Sequence, residues 1–210
     1  MKTKLIIFAL IATLTGCVNQ AQAQSQAQSH SCQELYLTNP QSAIHPKSAM
    51  TICQKELAQN PNNAQLQFYL GYAYDLEADY KKAVEWYTKS ANQGYAKAQY
   101  SLGAMYYTGQ GVPQDYAKAF ELFTKSANQG YAEAEYNLGV MYYNGQGVKQ
   151  DYTKALEWFT KSANQDNAKA QYNLGMMYHN GDGVKQNPST AKQWFAKACE
   201  NGHLRACQYR

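Results

Sequence analysis

The chain has 210 residues, of which 45% are hydrophobic and 16% charged. This length supports one domain with its own core or a run of small stacked units, and the apolar content argues against a disordered chain. The formal net charge is +4. Without the two lysines of the N-terminal segment it falls to about +2, and the remaining cationic residues are scattered, which argues against nucleic-acid binding.

Residues 1–16 have the layout of an export signal. Two lysines precede an apolar run from Leu5 to Leu14, which is followed by a threonine and a glycine. A charged start, an apolar run and small residues are the three parts of a secretory signal. The run is too short to remain in a bilayer as a permanent helix, so we predict that this segment is removed.

Two cleavage sites are compatible with this signal. Residues 14–17 (LTGC) resemble a bacterial lipobox, which implies that Cys17 carries a diacylglyceryl group and becomes the new N-terminus. Because Val18 rather than Asp follows the cysteine, the resemblance implies an outer-membrane lipoprotein facing the periplasm, and two or more acyl chains give stable anchoring. Cleavage after Ala23, in the small-x-small sequence AQA, would instead release a soluble periplasmic or secreted protein.

Residues 17–31 are predicted to be a lipidated cysteine followed by a disordered tether. From residue 19 onward the stretch is mainly Gln, Ala and Ser, with no large apolar side chain. Nothing in it offsets the entropy of ordering. A flexible chain of this length spans roughly 20 Å on average, enough to hold a folded body just off a membrane surface.

A repeat of 36 residues carries most of the remaining chain. Residues 95–130, 131–166 and 167–202 share alanines, an LG pair and a GxGV loop, followed by a second segment that ends near KSANQ in the first two blocks and near KACEN in the third. In the first block, helical spacing predicts one helix that ends at Gly109 and a second that begins at the N-cap Asp115. Two short helices cannot bury their apolar faces alone, so successive blocks are expected to stack as an α-solenoid.

These blocks resemble the Sel-one-like repeats, a subfamily of the tetratricopeptide superfamily. The resemblance implies an all-α, right-handed α-solenoid of helix-turn-helix repeats. Residues 64–94 carry the same pattern but lack four residues between the helices, and resemble a plain tetratricopeptide unit. Residues 32–63 are interpreted as a degenerate N-terminal cap of the same kind. Residues 203–210 are interpreted as half of a further first helix, which caps the other end.

Four cysteines remain if Cys17 is lipidated, an even number that suits an oxidising compartment. Cys32 and Cys53 are predicted to join the two helices of the degenerate first unit. Cys199 and Cys207 are eight residues apart. This is the spacing of the exported cysteine-rich Sel-one-like proteins of the Helicobacter type, and the resemblance implies a second disulfide.

An alternative for the C-terminal cysteines is a metal site. Cys199, His203 and Cys207 are spaced by four residues, as ligands on one helix face would be, although a fourth ligand is not evident. His179 and Asp182 are also close enough in sequence to share a metal ion, but they occur in one block only. Neither a cofactor nor a metal is predicted.

Partner-binding positions follow from the resemblance. In tetratricopeptide arrays the first helices line the concave face, where extended peptides or partner helices bind. Carried onto this sequence one at a time, those positions are Gln65, Phe68, Tyr72 and Asp75; Lys97, Tyr100, Ala104, Tyr107 and Thr108; Glu133, Tyr136, Val140, Tyr143 and Asn144; and Lys169, Tyr172, Met176, His179 and Asn180.

Comparison between blocks separates these positions into two groups. The tyrosine at the position of Tyr100 is unchanged in all three long blocks, so we assign it to stacking. Positions that vary are better candidates for specificity, namely Lys97, Glu133 and Lys169; Ala104, Val140 and Met176; and Tyr107, Tyr143 and His179. Tyrosine is a rigid amphipathic contact residue. Tyr72, Tyr107 and Tyr143 therefore either form the floor of a groove for a peptide or a sugar ring, or fill the gap between the first helices.

Catalytic motifs are missing from the sequence. The GxGV loops follow helices rather than strands, so they predict turns and not phosphate-binding loops. We find no HExxH or GxSxG motif, no set of SxxK, SDN and KTG motifs of the kind that serine β-lactamases use, and no nucleophile with an evident base. An enzyme is not expected, although cysteine-rich relatives are described as penicillin-binding or β-lactam-hydrolysing proteins.

The sequence therefore predicts a non-enzymatic solenoid in the bacterial cell envelope. Its predicted partner is a protein or peptide in the concave groove, for which it would act as adaptor, assembly factor or toxin-neutralising protein. The alternative partner is peptidoglycan or another glycan on the same aromatic floor. The membrane is reached through the N-terminal lipid, and no nucleic acid is expected.

Overall fold

A computed structural model describes residues 31–37 and 46–209. The predicted signal peptide (1–16), the lipidation of Cys17, the alternative cleavage after Ala23 and the tether as far as residue 30 lie outside the described residues. Within the described ranges the ordered elements are all helical, without a strand, and the all-α prediction is confirmed.

The helices follow one another in antiparallel pairs. Each first helix packs against the second helix of its own pair, and that second helix packs against the next first helix. Their bounds are α1 (Cys32–Leu37), α2 (Pro46–Gln59), α3 (Ala64–Leu76), α4 (Tyr80–Asn92), α5 (Ala96–Thr108), α6 (Tyr116–Ala127), α7 (Ala132–Asn144), α8 (Tyr152–Ala163), α9 (Ala168–Asn180) and α10 (Pro188–Glu200), followed by a 3₁₀ helix (Leu204–Tyr209).

Local sequence sets the helix ends. The side chain of Asp115 accepts a hydrogen bond from the Lys118 N–H at 2.9 Å, which caps α6, and Asp151 and Asn187 cap α8 and α10 in the same way. Gly109 ends α5 with a φ of 77°, a conformation that costs glycine little. These caps and turns repeat at each long block and fix the angle between its two helices.

Each pair buries a small core that the sequence pattern predicts. In the block that begins at residue 95, Ala98, Leu102, Met105, Ala119 and Phe123 are buried. The helices approach closely because the LG pair offers a glycine. A Cβ added at the corresponding glycine of the next block, Gly139, would lie 2.5 Å from a ring carbon of Phe159, so any side chain there forces the helices apart.

The GxGV loops join neighbouring blocks. The second glycine of each loop has a positive φ and lies on the backbone at the start of the second helix of the preceding block. A Cβ at Gly111 would lie 2.5 Å from the carbonyl oxygen of Tyr80, and Gly147 is pressed against Tyr116 in the same way. Stacking of the solenoid therefore depends on a position that only glycine fills without strain.

Disulfides close both ends of the described chain. Cys32 in α1 is bonded to Cys53 in α2, as predicted, and both residues are fully buried. Cys199 at the end of α10 is bonded to Cys207. That bond uses both thiolates that the alternative metal site would need, and within 31–37 and 46–209 no three His, Cys, Asp or Glu side chains converge.

The C-terminal cap differs from the predicted half-helix. Residues Leu204–Tyr209 form a 3₁₀ helix rather than the start of a further α-helix. The segment is only one or two turns long and its Cys207 is tied back to α10, a setting in which the tighter helix is common. The ring of Tyr209 packs on Phe195 at 4.8 Å between centroids, and thus covers the end of the last pair.

No helix in the described part of the chain has both the length and the apolarity that crossing a bilayer requires.

Candidate functional site

The predicted binding residues lie on α3, α5, α7 and α9, the first helices of four successive pairs. We call the surface of these four helices the first-helix face. Two cavities open along this face, and both adjoin the ring of Tyr136. The predicted residues divide between these cavities and a more crowded region around α3.

The first cavity, here the α7/α9 cavity, has a volume of about 340 Å³. It brings together five predicted candidates, Val140, Tyr143, Asn144, Met176 and Asn180, together with the tyrosines assigned to stacking. Its full lining is Tyr136, Val140, Tyr143, Asn144, Phe159, Tyr172, Asn173, Met176, Met177 and Asn180.

The lining of this cavity combines apolar side chains with amides. Val140 and Met176 supply aliphatic surface, and Met adapts its shape to what it contacts. Asn144 and Asn180 lie at the end of their helices, where each amide donates to the loop that follows: Asn180 Nδ2 lies 3.2 Å from Asp182 Oδ2. Carboxamides offer both donor and acceptor, so the cavity can meet a backbone amide as well as an apolar side chain.

Tyr143 is both a wall of this cavity and a bridge to the next block. Its hydroxyl donates a hydrogen bond to Asp182 Oδ2 at 2.9 Å, and its ring packs edge-on against Tyr152 at 5.0 Å between centroids. Burial first, and then the hydrogen bond to Asp182, raise the pKa of Tyr143 to about 12. The side chain is therefore a neutral donor at physiological pH.

Tyr107 occupies the equivalent position one block earlier. Its hydroxyl donates to Gln146 Oε1 at 2.8 Å, and its ring packs against Tyr116. Both tyrosines thus hold the loop of the following block. Tyr143 fits both interpretations of this row, because it lines a cavity and also fills the space between helices. Tyr107 fits the second interpretation, because it belongs to the packed cluster around Phe123.

The tyrosines that recur in every long block pack on the phenylalanine of their own second helix. Ring centroids lie 5.7 Å apart for Tyr100 and Phe123 and 5.8 Å apart for Tyr136 and Phe159. Burial raises the pKa of Tyr136, whose hydroxyl also bonds to Asn173. These rings have a structural role and at the same time present an edge to the cavities.

A second cavity, here the head cavity, also measures about 340 Å³. It lies at the N-terminal ends of α7 and α9. Glu133 and Lys169, two members of one predicted specificity row, both line it. Its lining is Tyr100, Glu133, Tyr136, Asn137, Asn167, Ala168 and Lys169.

The remaining candidates lie apart from these two cavities. Phe68 and Tyr72 stack on each other at 6.4 Å between centroids. Asp75 accepts a hydrogen bond from the Tyr87 hydroxyl at 3.4 Å, and burial raises the pKa of its carboxyl. The ring of Phe68 also packs on Tyr95, so the α3 end of the face is filled by its own aromatic side chains.

The other candidates lie along the same helices. Lys97 borders a more open depression of about 420 Å³ beside Tyr95 and Tyr131, and Ala104 packs in the cluster around Phe123. The carbonyl of His179 accepts a hydrogen bond from Gln186 Nε2 at 2.7 Å, which binds this residue to its own loop.

Sequence reasoning missed three asparagines of the site. Asn137 and Asn173 follow the recurrent tyrosine directly, and Asn167 begins the last block. The signal was present as variation between blocks, because Asn167 interrupts a row of tyrosines at Tyr95 and Tyr131. The position precedes its helix and therefore lies outside the predicted binding rows, which contain helical residues only.

A third cavity is lined by residues of α2, α3 and α4. It has a volume of about 780 Å³ and includes Leu57, Pro61, Trp86 and Lys89. None of the predicted binding residues borders it.

Comparison with known proteins agrees with this architecture. The model of the Sel1 repeat matches residues 64–95, 96–131, 132–167 and 168–203. The first of these, residues 64–95, is thereby counted as a fourth Sel1 repeat, whereas the sequence alone likened residues 64–94 to a plain tetratricopeptide unit. No curated protein matches the chain.

Solved structures give the same result. A Sel1 repeat protein from Oxalobacter formigenes is 31% identical over 83% of this chain and 70% of that chain, with a TM-score of 0.74. The protein c5321, a protective antigen of uropathogenic Escherichia coli strains with an SLR fold, is 37% identical with a TM-score of 0.71. The alignment with c5321 covers 75% of this chain but spans only 34% of that one.

Cysteine-rich protein B of Helicobacter pylori is similar as well, at 28% identity over 63% of this chain and 95% of that chain, with a TM-score of 0.51. The family model covers more than half of the residues, in four consecutive repeats whose helices, loops and caps recur in the structure. The chain therefore belongs to the Sel1 repeat family, within the tetratricopeptide superfamily.

Proposed function

We propose that this protein is a non-enzymatic interaction module that binds an extended segment of a partner protein along the first-helix face. The α7/α9 cavity is the observation that carries this proposal. Repeat folds of this family are typical of protein and peptide binding, and stacked repeats create extended surfaces of the kind that a partner segment follows.

The lining of the α7/α9 cavity favours a peptide as its occupant. An extended peptide presents apolar side chains and unpaired backbone amides in alternation. Val140 and Met176 suit the apolar side chain, while Asn144, Asn173 and Asn180 offer amides to the backbone. A volume of about 340 Å³ lies at the lower end of the range for small-molecule sites, which suits one or two side chains.

The proposed location is the bacterial cell envelope. Two disulfides, Cys32–Cys53 and Cys199–Cys207, support an oxidising compartment outside the cytoplasm. The N-terminal sequence supports export, with lipidation of Cys17 and an outer-membrane anchor facing the periplasm, or release after Ala23. In that setting the protein would act as an adaptor, an assembly factor or a toxin-neutralising partner.

Capture of the partner from envelope extracts tests the proposal. Met176→Trp and Val140→Trp fill the α7/α9 cavity, and we expect each to reduce the recovery of the bound protein at least tenfold by quantitative mass spectrometry. Glu157→Trp adds the same bulk at an exposed position of α8 and serves as the matched control. Equal recovery by the wild-type and both cavity-filled proteins would rule the cavity out as the binding site.

Glycan binding is the second candidate, because the cavity combines the tyrosine rings of Tyr136 and Tyr172 with carboxamides. Such surfaces suit sugar rings as well as peptides. Retention on purified peptidoglycan sacculi that is lost in Met176→Trp and kept in Glu157→Trp would favour this function over peptide binding. Turnover of nitrocefin by the purified protein, abolished by a point mutation, would instead favour the β-lactam-active enzyme.

A further inference from the structure

A ring at the head of a block packs on an aromatic ring of the preceding first helix. This contact occurs at three of the four junctions that follow α3, α5, α7 and α9. The pairs are Phe68 with Tyr95 at 5.4 Å between ring centroids, Tyr100 with Tyr131 at 5.2 Å, and Tyr172 with His203 at 4.3 Å.

The junction after α7 differs from the other three. Asn167 occupies the head position there, and its side chain accepts hydrogen bonds from the N–H groups of Lys169 and Ala170, both at 3.1 Å. It therefore caps α9 instead of covering the ring of Tyr136. The space that a ring would take is part of the head cavity, of about 340 Å³.

The backbone does not account for this difference. Asn167 has a φ of −68° and a ψ of 104°, compared with −78° and 109° for Tyr131 and −68° and 114° for Tyr95. A ring at residue 167 would consequently point in the same direction as the rings of the other blocks. Only the side chain leaves the cavity open.

The shape and charge of the head cavity indicate what fits it. Tyr136 and Tyr100 provide aromatic surface, and a second ring beside an aromatic ring is favoured beyond the area it buries. Glu133 and Lys169 flank the opening with opposite charges, so the rim favours neither an anion nor a cation. Both observations favour a neutral planar ring.

We propose that the head cavity is a binding site for an aromatic side chain of the partner, whose ring packs on Tyr136 in the place that Tyr131, Tyr95 and His203 fill in the other blocks. The assignment to a protein side chain rests on the proposed function. The preference for a neutral ring rests on the comparison between blocks and on the opposite charges of Glu133 and Lys169 at the rim. The head cavity and the α7/α9 cavity share Tyr136 as a lining residue. The head cavity would bind one side chain of the bound segment and so contribute to its sequence specificity.

Titration of the purified protein with N-acetyl-tyrosinamide, followed by NMR chemical-shift changes, tests the ring preference. We expect shifts at Tyr136 and Asn167, and at least tenfold weaker binding of N-acetyl-leucinamide. Asn167→Tyr supplies the missing ring from the chain itself, and should weaken the binding of N-acetyl-tyrosinamide at least tenfold. Equal binding of the two amides, or undiminished binding by Asn167→Tyr, would overturn the proposal.

Two further variants separate loss of the cavity from loss of the cap or of the fold. Asn167→Ala removes the cap of α9 but leaves the cavity open, so its affinity for N-acetyl-tyrosinamide should stay within twofold of wild type. Asn167→His supplies a smaller ring, as His203 does, and should weaken binding even if Asn167→Tyr fails to fold. A tenfold loss in Asn167→Ala would show that the cap, not the open cavity, matters.

Met176→Trp distinguishes this proposal from the proposed function. It fills the α7/α9 cavity only, because Met176 does not line the head cavity, so it should reduce partner capture and leave the binding of N-acetyl-tyrosinamide within twofold. If no variant alters partner capture but Asn167→Tyr still abolishes binding of the tyrosine amide, the aromatic site stands and the peptide-binding function falls. The converse result would remove the aromatic site alone.

Discussion

The α3 end and the α9 end of the first-helix face share one backbone plan but differ in how their side chains fill it. At the α3 end, the ring of Phe68 packs against those of Tyr72, Tyr87 and Tyr95. Toward the α9 end, two cavities of about 340 Å³ each adjoin Tyr136. A repeat fold can therefore keep its stacking geometry constant while a few side-chain changes open a site at one position along it.

The largest expected effect concerns the backbone plan itself. Gly147 has a φ of 68° and is pressed against the backbone at Tyr116, so Gly147→Ala adds both backbone strain and a clash. We expect a loss of about 3 kcal/mol in the free energy of unfolding, measured by urea denaturation. Gly111→Ala at the α3 end should cost a similar amount, because Gly111 lies on Tyr80 in the same way.

Gly130→Asn is the matched control for these glycine variants. Gly130 also has a positive φ, of 79°, but a Cβ there would meet nothing within 4 Å, and the next block places Asp166 at the equivalent position with a φ of 61°. The loss should stay below about 1 kcal/mol. A cost as large as that of Gly147→Ala would mean that strain alone, and not contact between blocks, explains the effect.

The second prediction compares the tyrosine bridges of the two regions. Tyr143→Phe removes a donor to the carboxylate of Asp182, whereas Tyr107→Phe removes a donor to the neutral amide of Gln146. Hydrogen bonds to charged groups contribute more to stability. Because the Tyr143–Asp182 bond is only partly buried, we expect losses of about 1.5 kcal/mol and about 0.7 kcal/mol respectively.

The pH dependence of the Tyr143 bridge provides an independent check. The folded pKa of about 12 lies above the ordinary value of about 10. Burial of Tyr143 first, and its bond to Asp182 second, favour the neutral hydroxyl, so the side chain contributes its full stability below pH 10 and loses it as the pH rises toward 12. Wild-type protein should lose stability over that interval relative to Tyr143→Phe, and parallel unfolding curves would argue against the bridge.

The third prediction concerns a buried carboxyl that distinguishes the block of α7. Glu135 accepts a hydrogen bond from Gln165 Nε2 at 2.8 Å and is 5% exposed. The equivalent residues of the neighbouring blocks are Gln99 and Gln171, and each accepts the same kind of hydrogen bond. Each also donates to a backbone carbonyl; the distance from Gln171 Nε2 to the carbonyl oxygen of Ala163 is 3.1 Å. An ionised carboxylate has no proton to donate, so Glu135→Gln should add about 1 kcal/mol at pH 7.

The gain from Glu135→Gln should depend on pH. Burial raises the pKa of Glu135, and this effect is larger than the lowering of the pKa by the hydrogen bond from Gln165 and by the charge of Lys161. The wild-type side chain therefore contributes most below its unfolded pKa of about 4.3 and loses that contribution as the pH rises through the folded pKa. The two proteins should have equal thermal midpoints near pH 4 and diverge toward neutrality; a constant difference would contradict this mechanism.

The repeat plan could be predicted from the sequence because each of its determinants is local. Asp115 caps α6, Gly109 ends α5, and the spacing of Ala98 and Leu102 defines a buried face. These features lie within one block, and each block that repeats them supports the assignment of helices in the others. The disulfide between Cys199 and Cys207 could also be predicted from the sequence, because the spacing of these two cysteines resembles that of known relatives.

The site could be predicted only in part because it depends on contacts between blocks. The predicted rows contain Tyr143 and Met176, which line the same cavity, but the bond from Tyr143 to Asp182 joins residues 39 positions apart. The absence of a ring at Asn167 could be recognised as an open site only from the structure, which shows that a ring from the following block covers the equivalent aromatic ring at the other junctions. The 3₁₀ cap at Leu204–Tyr209 likewise reflects its covalent tie to α10 and not its local propensity.

The smallest expected effect extends the comparison to the last pair of helices. Ser90, Ser126 and Ser162 each donate from Oγ to the carbonyl at the start of their own first helix, at 2.6 to 2.8 Å, whereas the last pair has the buried Ala198 at this position. Ala198→Ser should add at most about 0.5 kcal/mol, because burying the hydroxyl offsets most of the bond it gains.

Ser162→Ala is the reverse change and leaves the carbonyl of Ala132 without its hydroxyl donor, so it should cost about 1 kcal/mol. Urea denaturation of both variants measures the difference. A gain from Ala198→Ser would mean that α9 and α10 keep the spacing of the earlier pairs. A loss above about 1 kcal/mol would mean that the hydroxyl finds no acceptor and that the last pair, closed by the disulfide at Cys199, packs its helices more tightly.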